Sequence, residues 1–158
     1  MPLTPYPPYR DAVAPEWIDY NGHMNVAYYV LAFDRATDKF FDYLGFGEAY
    51  RQATNRSIFA LEAHVTYERE LREGEPFAVE TRLIDADRKR LHMFHRMTKG
   101  NGAETAATME VMALHVDLAG PRAALFPDEA AAKIEALLAA HRQLPAPPQL
   151  GRKIGIRR

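Results

Sequence analysis

The segment Asp19-Tyr20-Asn21-Gly22-His23-Met24-Asn25 puts a carboxylate, an imidazole and a carboxamide directly ahead of an apolar periodic run. A helix starting there leaves its first backbone N–H groups without intrahelical acceptors, and its dipole adds positive potential at the same place. Both features stabilise an oxyanion, the charge that develops on a carbonyl oxygen during acyl transfer. Among acyl compounds a thioester asks for little more, because its thiolate departs without a strong general acid. A carboxylate facing the carbonyl is then enough, and Asp19 is the candidate. The same residue types also serve structure alone, Asp19 as a turn cap and Asn25 as a helix cap.

The elements that must position this segment are legible from periodicity. Over residues 26–44, Val26, Tyr29, Val30, Phe33, Phe40 and Leu44 recur at helical spacing, with Asp34, Arg35, Asp38 and Lys39 on the other sides. Asn25 caps the start of this long helix, and Gly45, followed by Gly47, stops it. Residues 48–55 suit a short helical turn. A short strand is expected over 9–13 after a proline-rich lead-in, then strands over 58–71, 76–85, 90–99 and 104–117. Arg72-Glu73-Gly74-Glu75, Ala86-Asp87-Arg88-Lys89 and Gly100-Asn101-Gly102-Ala103 are turn-rich connections, so the strands read as an antiparallel meander. Pro127-Asp128-Glu129 opens an alanine-rich helix to about His141, and a proline-rich, then basic, tail follows over 145–158. Burying the long helix's apolar stripe calls for laying it across the concave face of the sheet, giving one α+β domain over 1–144.

Composition narrows the function. With 158 residues a single core is expected, and the net charge of -1 supplies no field to draw the chain to nucleic acid or an anionic membrane. Cysteine is absent, which removes disulfides, thiolate metal sites and a cysteine nucleophile. His92 and His95, three apart on a strand, point to opposite faces, so no zinc site is expected. No stretch has the length or apolarity of a signal peptide or a membrane span, which places the protein in the cytoplasm.

Asp19-x-x-Gly22-His23-Met24-Asn25 followed by Tyr29, with the long helix after it and Tyr67, Gly74 and Phe77 further on, resembles the 4-hydroxybenzoyl-CoA thioesterase type of hotdog protein. The resemblance covers roughly residues 10–140. It implies a single hotdog domain of α+β class, a curved antiparallel sheet wrapping a long central helix, with a C-terminal helix. It also implies acyl-CoA thioester hydrolysis, with Asp19 as nucleophile or as base for water and the backbone N–H near Val26 as oxyanion donor. His23 and Asn25 then orient Asp19, the water or the carbonyl. No metal or redox cofactor is implied, coenzyme A being part of the substrate. Active sites form between paired subunits, so a homodimer or homotetramer is expected.

A closer resemblance, over residues 16–45, is to the betainyl-CoA thioesterases of carnitine breakdown, some of them fused to a carnitine dehydrogenase. A betainyl group ends in a quaternary ammonium, which aromatic faces hold, and Trp17, Tyr20, Tyr28, Tyr29 and Phe33 are the aromatics available. Tyr29 and Phe33, at helical spacing, serve equally as core. Glu62 and His64, two apart, share one strand face; turned to the site, Glu62 complements a cationic acyl group and His64 assists the water. Coenzyme A phosphates call for cations, for which Arg88, Lys89 and Arg90 at a hairpin tip are candidates, with Arg69 and Lys99 beside them. A solvated charge run explains the same residues. Arg152, Lys153, Arg157 and Arg158 read as a mobile end. Two rival functions share these features: an acyl-CoA hydratase or dehydratase, whose pattern the Asp19 to His23 spacing does not match, and a noncatalytic acyl-CoA-binding module.

Overall fold

A computed structural model describes residues 6–100 and 102–158. The first five residues of the proline-rich lead-in and Asn101 of the last turn lie outside the described residues. Strand β1 (Tyr9–Ala12) and a single 3-10 turn (Pro15–Trp17) precede helix α1 (Val26–Leu44) and the short α2 (Glu48–Thr54). Strands β2 (Arg56–Tyr67), β3 (Pro76–Ala86), β4 (Arg90–Lys99), β5 (Thr105–Asp117) and β6 (Arg122–Ala123) follow, and helix α3 (Asp128–His141) comes last.

Strands β3, β4 and β5 form the expected meander, but β2 does not join it beside β3. The order is β1-β3-β4-β5-β2, all antiparallel, with β6 added on β5. This corrects the reading of Arg72-Glu73-Gly74-Glu75 as a hairpin connection. The chain leaves β2 at Tyr67, short of the expected residue 71, and crosses to the far side of the sheet. Leu71, fully buried, fills the core on the way, and its carbonyl accepts the Met24 N–H at 2.7 Å. Gly74, at φ +74°, turns the chain into β3, where its N–H meets the Val13 carbonyl at 2.9 Å. The consequence is a sheet in which β3, β4 and β5 are each paired on both sides, while the outer edge of β2 has no partner strand among the described residues.

Helix α1 lies on the concave face. Ala32, Phe33, Ala36 and Phe40 are fully buried against Val79, Leu91, Met93 and Met97 of the sheet, the alanines letting helix and strands approach closely. One polar network crosses this apolar layer. Thr37 Oγ1 donates to the Phe33 carbonyl at 2.8 Å and therefore accepts from His95 Nε2 at 3.0 Å; His95 Nδ1 in turn accepts from Thr81 Oγ1 at 2.9 Å. Helix α3 covers β3 with Ile134, Leu137 and Leu138, and His141 Nδ1 accepts the Leu83 N–H at 2.8 Å where β3 bulges between Leu83 and Asp85. A long helix wrapped by a curved antiparallel sheet is the hotdog arrangement. Among the described residues no helix is long and apolar enough to cross a membrane.

Burial holds both histidines neutral, His95 down to about 3 and His141 to about 4, the latter helped by the nearby Arg82 charge. Below the ordinary value of 6.5 the unfolded chain takes up protons that the fold refuses, so stability falls as pH drops from 6.5 toward 4. His95 alone should cost about 2 kcal/mol at pH 5 relative to neutral pH. Urea unfolding at pH 7 and pH 5 should show this loss, and His95→Asn should flatten the pH slope whatever it does to absolute stability.

Candidate active site

Residues 17–25 form a closed loop whose backbone is almost fully accounted for. Ile18 and Met24 make an isolated antiparallel bridge, Asp19 N–H donates to the His23 carbonyl at 3.1 Å, and Gly22 N–H returns to the Asp19 carbonyl at 3.0 Å. Gly22 sits at φ +78°, a left-handed conformation that a side chain resists, which is why this turn carries glycine. Asn25 N–H then donates to the Trp17 carbonyl at 2.9 Å, so the loop hands the chain to α1 at a fixed angle.

The Asn25 carboxamide has two partners. Its Oδ1 accepts the Ala27 N–H at 3.0 Å, capping α1, while its Nδ2 donates to Asp19 Oδ2 at 3.2 Å. The other Asp19 oxygen accepts the Asn21 N–H at 2.8 Å. Each carboxylate oxygen thus receives one donor and keeps lone pairs for another proton. At the helix start, the Ala27 N–H is taken by the cap and the Tyr28 N–H by the Asn25 carbonyl at 3.0 Å. Val26 N–H, the first of the helix, has no intrahelical acceptor, and Val26 is more than half exposed. Asp19 and this donor thus both lie by the positive end of α1, linked through Asn25. His23 enters through its carbonyl; its imidazole makes no hydrogen bond among the described residues and lies near Glu70. Glu70's own backbone N–H, and then the neighbouring His23, Lys99 and Arg72 side chains, hold its carboxyl below the usual range.

Tyr29 roofs the site. Its hydroxyl donates to the Arg69 carbonyl at 3.2 Å and accepts the Leu71 N–H at 3.1 Å, clamping the β2–β3 crossing onto the first turn of α1. Its ring meets Tyr67 edge-on at 5.3 Å, which places the Tyr67 end of β2 beside the loop. Burial raises the Tyr29 hydroxyl above its ordinary range, consistent with a neutral clamp. Arg69 and Lys99 flank the same end of the sheet, Arg69 paired with Glu104 at 3.5 Å and Lys99 Nζ on the Glu70 carbonyl at 2.9 Å.

The remaining candidates are dispersed. Trp17 is buried, stacked on Tyr28 at 5.5 Å, with the Arg35 guanidinium over it at 5.4 Å. Phe33 is core, and Tyr20 is 98% exposed. Within one chain these aromatics do not converge on a cage. Glu62 and His64 look out from the convex face of β2, opposite α1. Arg88, Lys89 and Arg90 form the β3–β4 tip, a full length of β4 (about 30 Å) from Lys99. Arg90 is already held there by Asp87 at 2.6 Å.

A cleft of about 610 Å³ runs along the flank of α1, lined by the acids Asp34, Asp38, Asp42 and Glu48 and the bases Arg35, Lys39 and Arg51 around Phe41, Ile58 and Met93. Partial burial, and then Asp34 and Asp42, raise the Asp38 carboxyl above its usual range. Asp34, Asp38 and Asp42 recur every four residues along α1, a spacing at which like charges repel, and Lys39 beside them offsets part of that repulsion.

Residues 13–134 match the family described as the thioesterase-like superfamily. The chain belongs to that family. It is 44% identical over 148 residues to a betainyl-CoA thioesterase of Pseudomonas aeruginosa, a match that covers 94% of this chain and 93% of that protein. It is 32% identical to an L-carnitine dehydrogenase/betainyl-CoA thioesterase of Rhizobium meliloti, covering 90% of this chain but 28% of that longer protein. Among solved structures, a Staphylococcus aureus protein in complex with CoA superposes with a TM-score of 0.89 at 33% identity, covering 95% and 94% of the two chains. This thioesterase-family chain thus shares its fold across nearly its whole length with a CoA-bound protein.

The two bonds of Asn25 predict its substitutions. Asn25→Ala should destabilise the thioesterase fold by about 1 kcal/mol through loss of the cap. Asn25→Asp, which keeps a capping oxygen but sets a second carboxylate against Asp19, should also be less stable than the native chain at neutral pH and recover as the pH falls through the carboxylate range. Thermal unfolding of the two variants checks this.

Proposed function

We propose that this thioesterase hydrolyses betainyl-CoA, with Asp19 as its catalytic carboxylate. The observation that carries the reading is the near full-length likeness to a betainyl-CoA thioesterase, 44% identical across 94% of the chain. The loop geometry supports the chemistry. Asp19, oriented by Asn25 and by the Asn21 N–H, takes a proton from water or attacks the carbonyl itself, while Val26 N–H and the α1 dipole stabilise the oxyanion. In the first route the acyl carbon gains the water oxygen as the C–S bond breaks. In the second an Asp19 oxygen bonds to it as the C–S bond breaks, and water then cleaves the anhydride to free acid and Asp19. In both, coenzyme A leaves as a thiolate that solvent protonates.

Two copies complete the site. The outer edge of β2 is unpaired among the described residues and displays Phe59, Leu61 and Tyr67, so it invites pairing with a second β2. A two-fold pairing of identical strands is antiparallel, and it sets the Tyr67 end of one β2 opposite the Ile58 end of the other. The loop bearing Asp19 sits at the Tyr67 end and the cleft that holds Asp34 and Asp38 at the Ile58 end. Asp19 of one protomer then faces the cleft of its partner. A quaternary ammonium donates no hydrogen bonds, so charge and contact must hold it, and Asp34 and Asp38 with Phe41 supply both. Homodimerisation follows from this reading.

Thiol release from betainyl-, acetyl-, benzoyl- and long-chain acyl-CoA tests it. Betainyl-CoA should be cleaved fastest, and Asp19→Asn should lower kcat by about 100-fold or more while leaving binding in place. Asp38→Asn should raise KM for betainyl-CoA about fivefold, the order of one partly exposed charge contact, and leave acetyl-CoA unchanged. Retained turnover in Asp19→Asn would remove the proposed mechanism, and acyl-CoA binding without cleavage by the native chain would make the protein a binding module.

A further inference from the structure

The chain beyond α3 is held as a strap as far as Gly151, and it meets the strands in their spatial order. The Arg82 guanidinium of β3 donates to the carbonyls of His141, Leu144 and Pro145 at 3.2, 3.2 and 2.6 Å. Pro145 and Pro147 then lie over Phe94 and Arg96 of β4, on the convex face. A turn from Pro147 to Leu150 follows, and Gly151 N–H donates to Glu110 Oε2 of β5 at 2.8 Å, while the other Glu110 oxygen is 2.7 Å from His92 Nε2. Arg152, Lys153 and Ile154 come next to Glu62 and His64 of β2. The path runs β3, β4, β5, β2, straight toward the open edge.

Past that point two β-branched side chains are left in solvent: Ile154 is 93% exposed and Ile156 is 85% exposed. Two apart on an extended segment, they share one side. Around them stand Arg152, Lys153, Arg157 and Arg158. A strap fixed by so many hydrogen bonds that ends in exposed isoleucines is built to cover something.

We propose that residues 152–158 are an interface arm that crosses the β2 seam and docks on the convex face of a second copy of this chain, burying Ile154 and Ile156 there. The inference rests on the β2 pairing of the preceding section. Three features choose a second copy as the occupant. The arm leaves at Glu62 and His64, near the midpoint of the twelve-residue β2, and a two-fold pairing brings that same level of the partner strand directly opposite. Residues 155–158 extend about 13 Å, enough to pass two strand spacings of about 4.8 Å. The arm's four cations arrive where Glu62, which has no ion pair among the described residues, is exposed. The two arms run past each other, so the isoleucines of one pack on those of the other, and Arg157 and Arg158 reach Glu62 of the partner subunit.

Because the chain has no cysteine, introduced thiols report this contact alone. Chains carrying Ile156→Cys are mixed with differently tagged chains carrying Glu62→Cys and oxidised. A disulfide joining the two kinds of chain, together with a dimer dissociation constant raised tenfold or more when residues 152–158 are removed, is the expected result. A native dimer that gives no mixed disulfide and sediments identically after truncation overturns the arm and leaves the β2 pairing standing. A native protein that sediments as a monomer at micromolar concentration overturns the pairing and the arm together.

Discussion

A single carboxamide joins the candidate carboxylate to the start of the long helix. Asn25 sits between the loop and the helix, and its oxygen can cap α1 only while its amide nitrogen points at Asp19. The plane of the side chain thus couples two directions that would otherwise be independent: the axis along which the helix dipole acts and the approach of the carboxylate. Several contacts of the surrounding loop hold that plane still. The Ile18–Met24 bridge and the Asn25 N–H bond to Trp17 fix the backbone behind it, and the Met24 bond to the Leu71 carbonyl ties it to the sheet.

The strand order follows from the same demand. A hairpin from β2 to β3 would have left the start of α1 open to solvent on both sides. By crossing instead, residues 68–75 give Tyr29 two backbone groups to hold and place Leu71 under the loop. The cost is an edge strand with unpaired N–H and C=O groups and exposed apolar side chains, an arrangement that a soluble fold tolerates when something covers it. Rigidity reaches the far end of α1 through His95, whose ring links Thr37 on the helix to Thr81 on β3 and resists both rotation and protonation.

What could be read from the residues alone was whatever is decided locally. The bounds of α1 are fixed by Asn25 and by Gly45 at φ +89°, both visible as types in a pattern, and β4 ends where turn residues begin. Asp19 and Asn25 stood out because a motif spaces them, and their mutual hydrogen bond is what that spacing produces. Strand partnership was not legible: alternation says which face a β2 residue uses but not which strand lies beside it. Nor could periodicity separate a core aromatic from a ligand-facing one, and Trp17, Tyr29 and Phe33 proved to be packed inside one chain. The strap was hidden for another reason. It is held by carbonyls converging on Arg82, and backbone acceptors leave no trace in side-chain composition.

Strand β1 and the C-terminal strap reach opposite margins of the sheet, four strand spacings or about 19 Å apart. The segment that enters at β1 and the basic segment that leaves beside β2 are thus kept apart by the full width of the sheet, so neither can crowd the other.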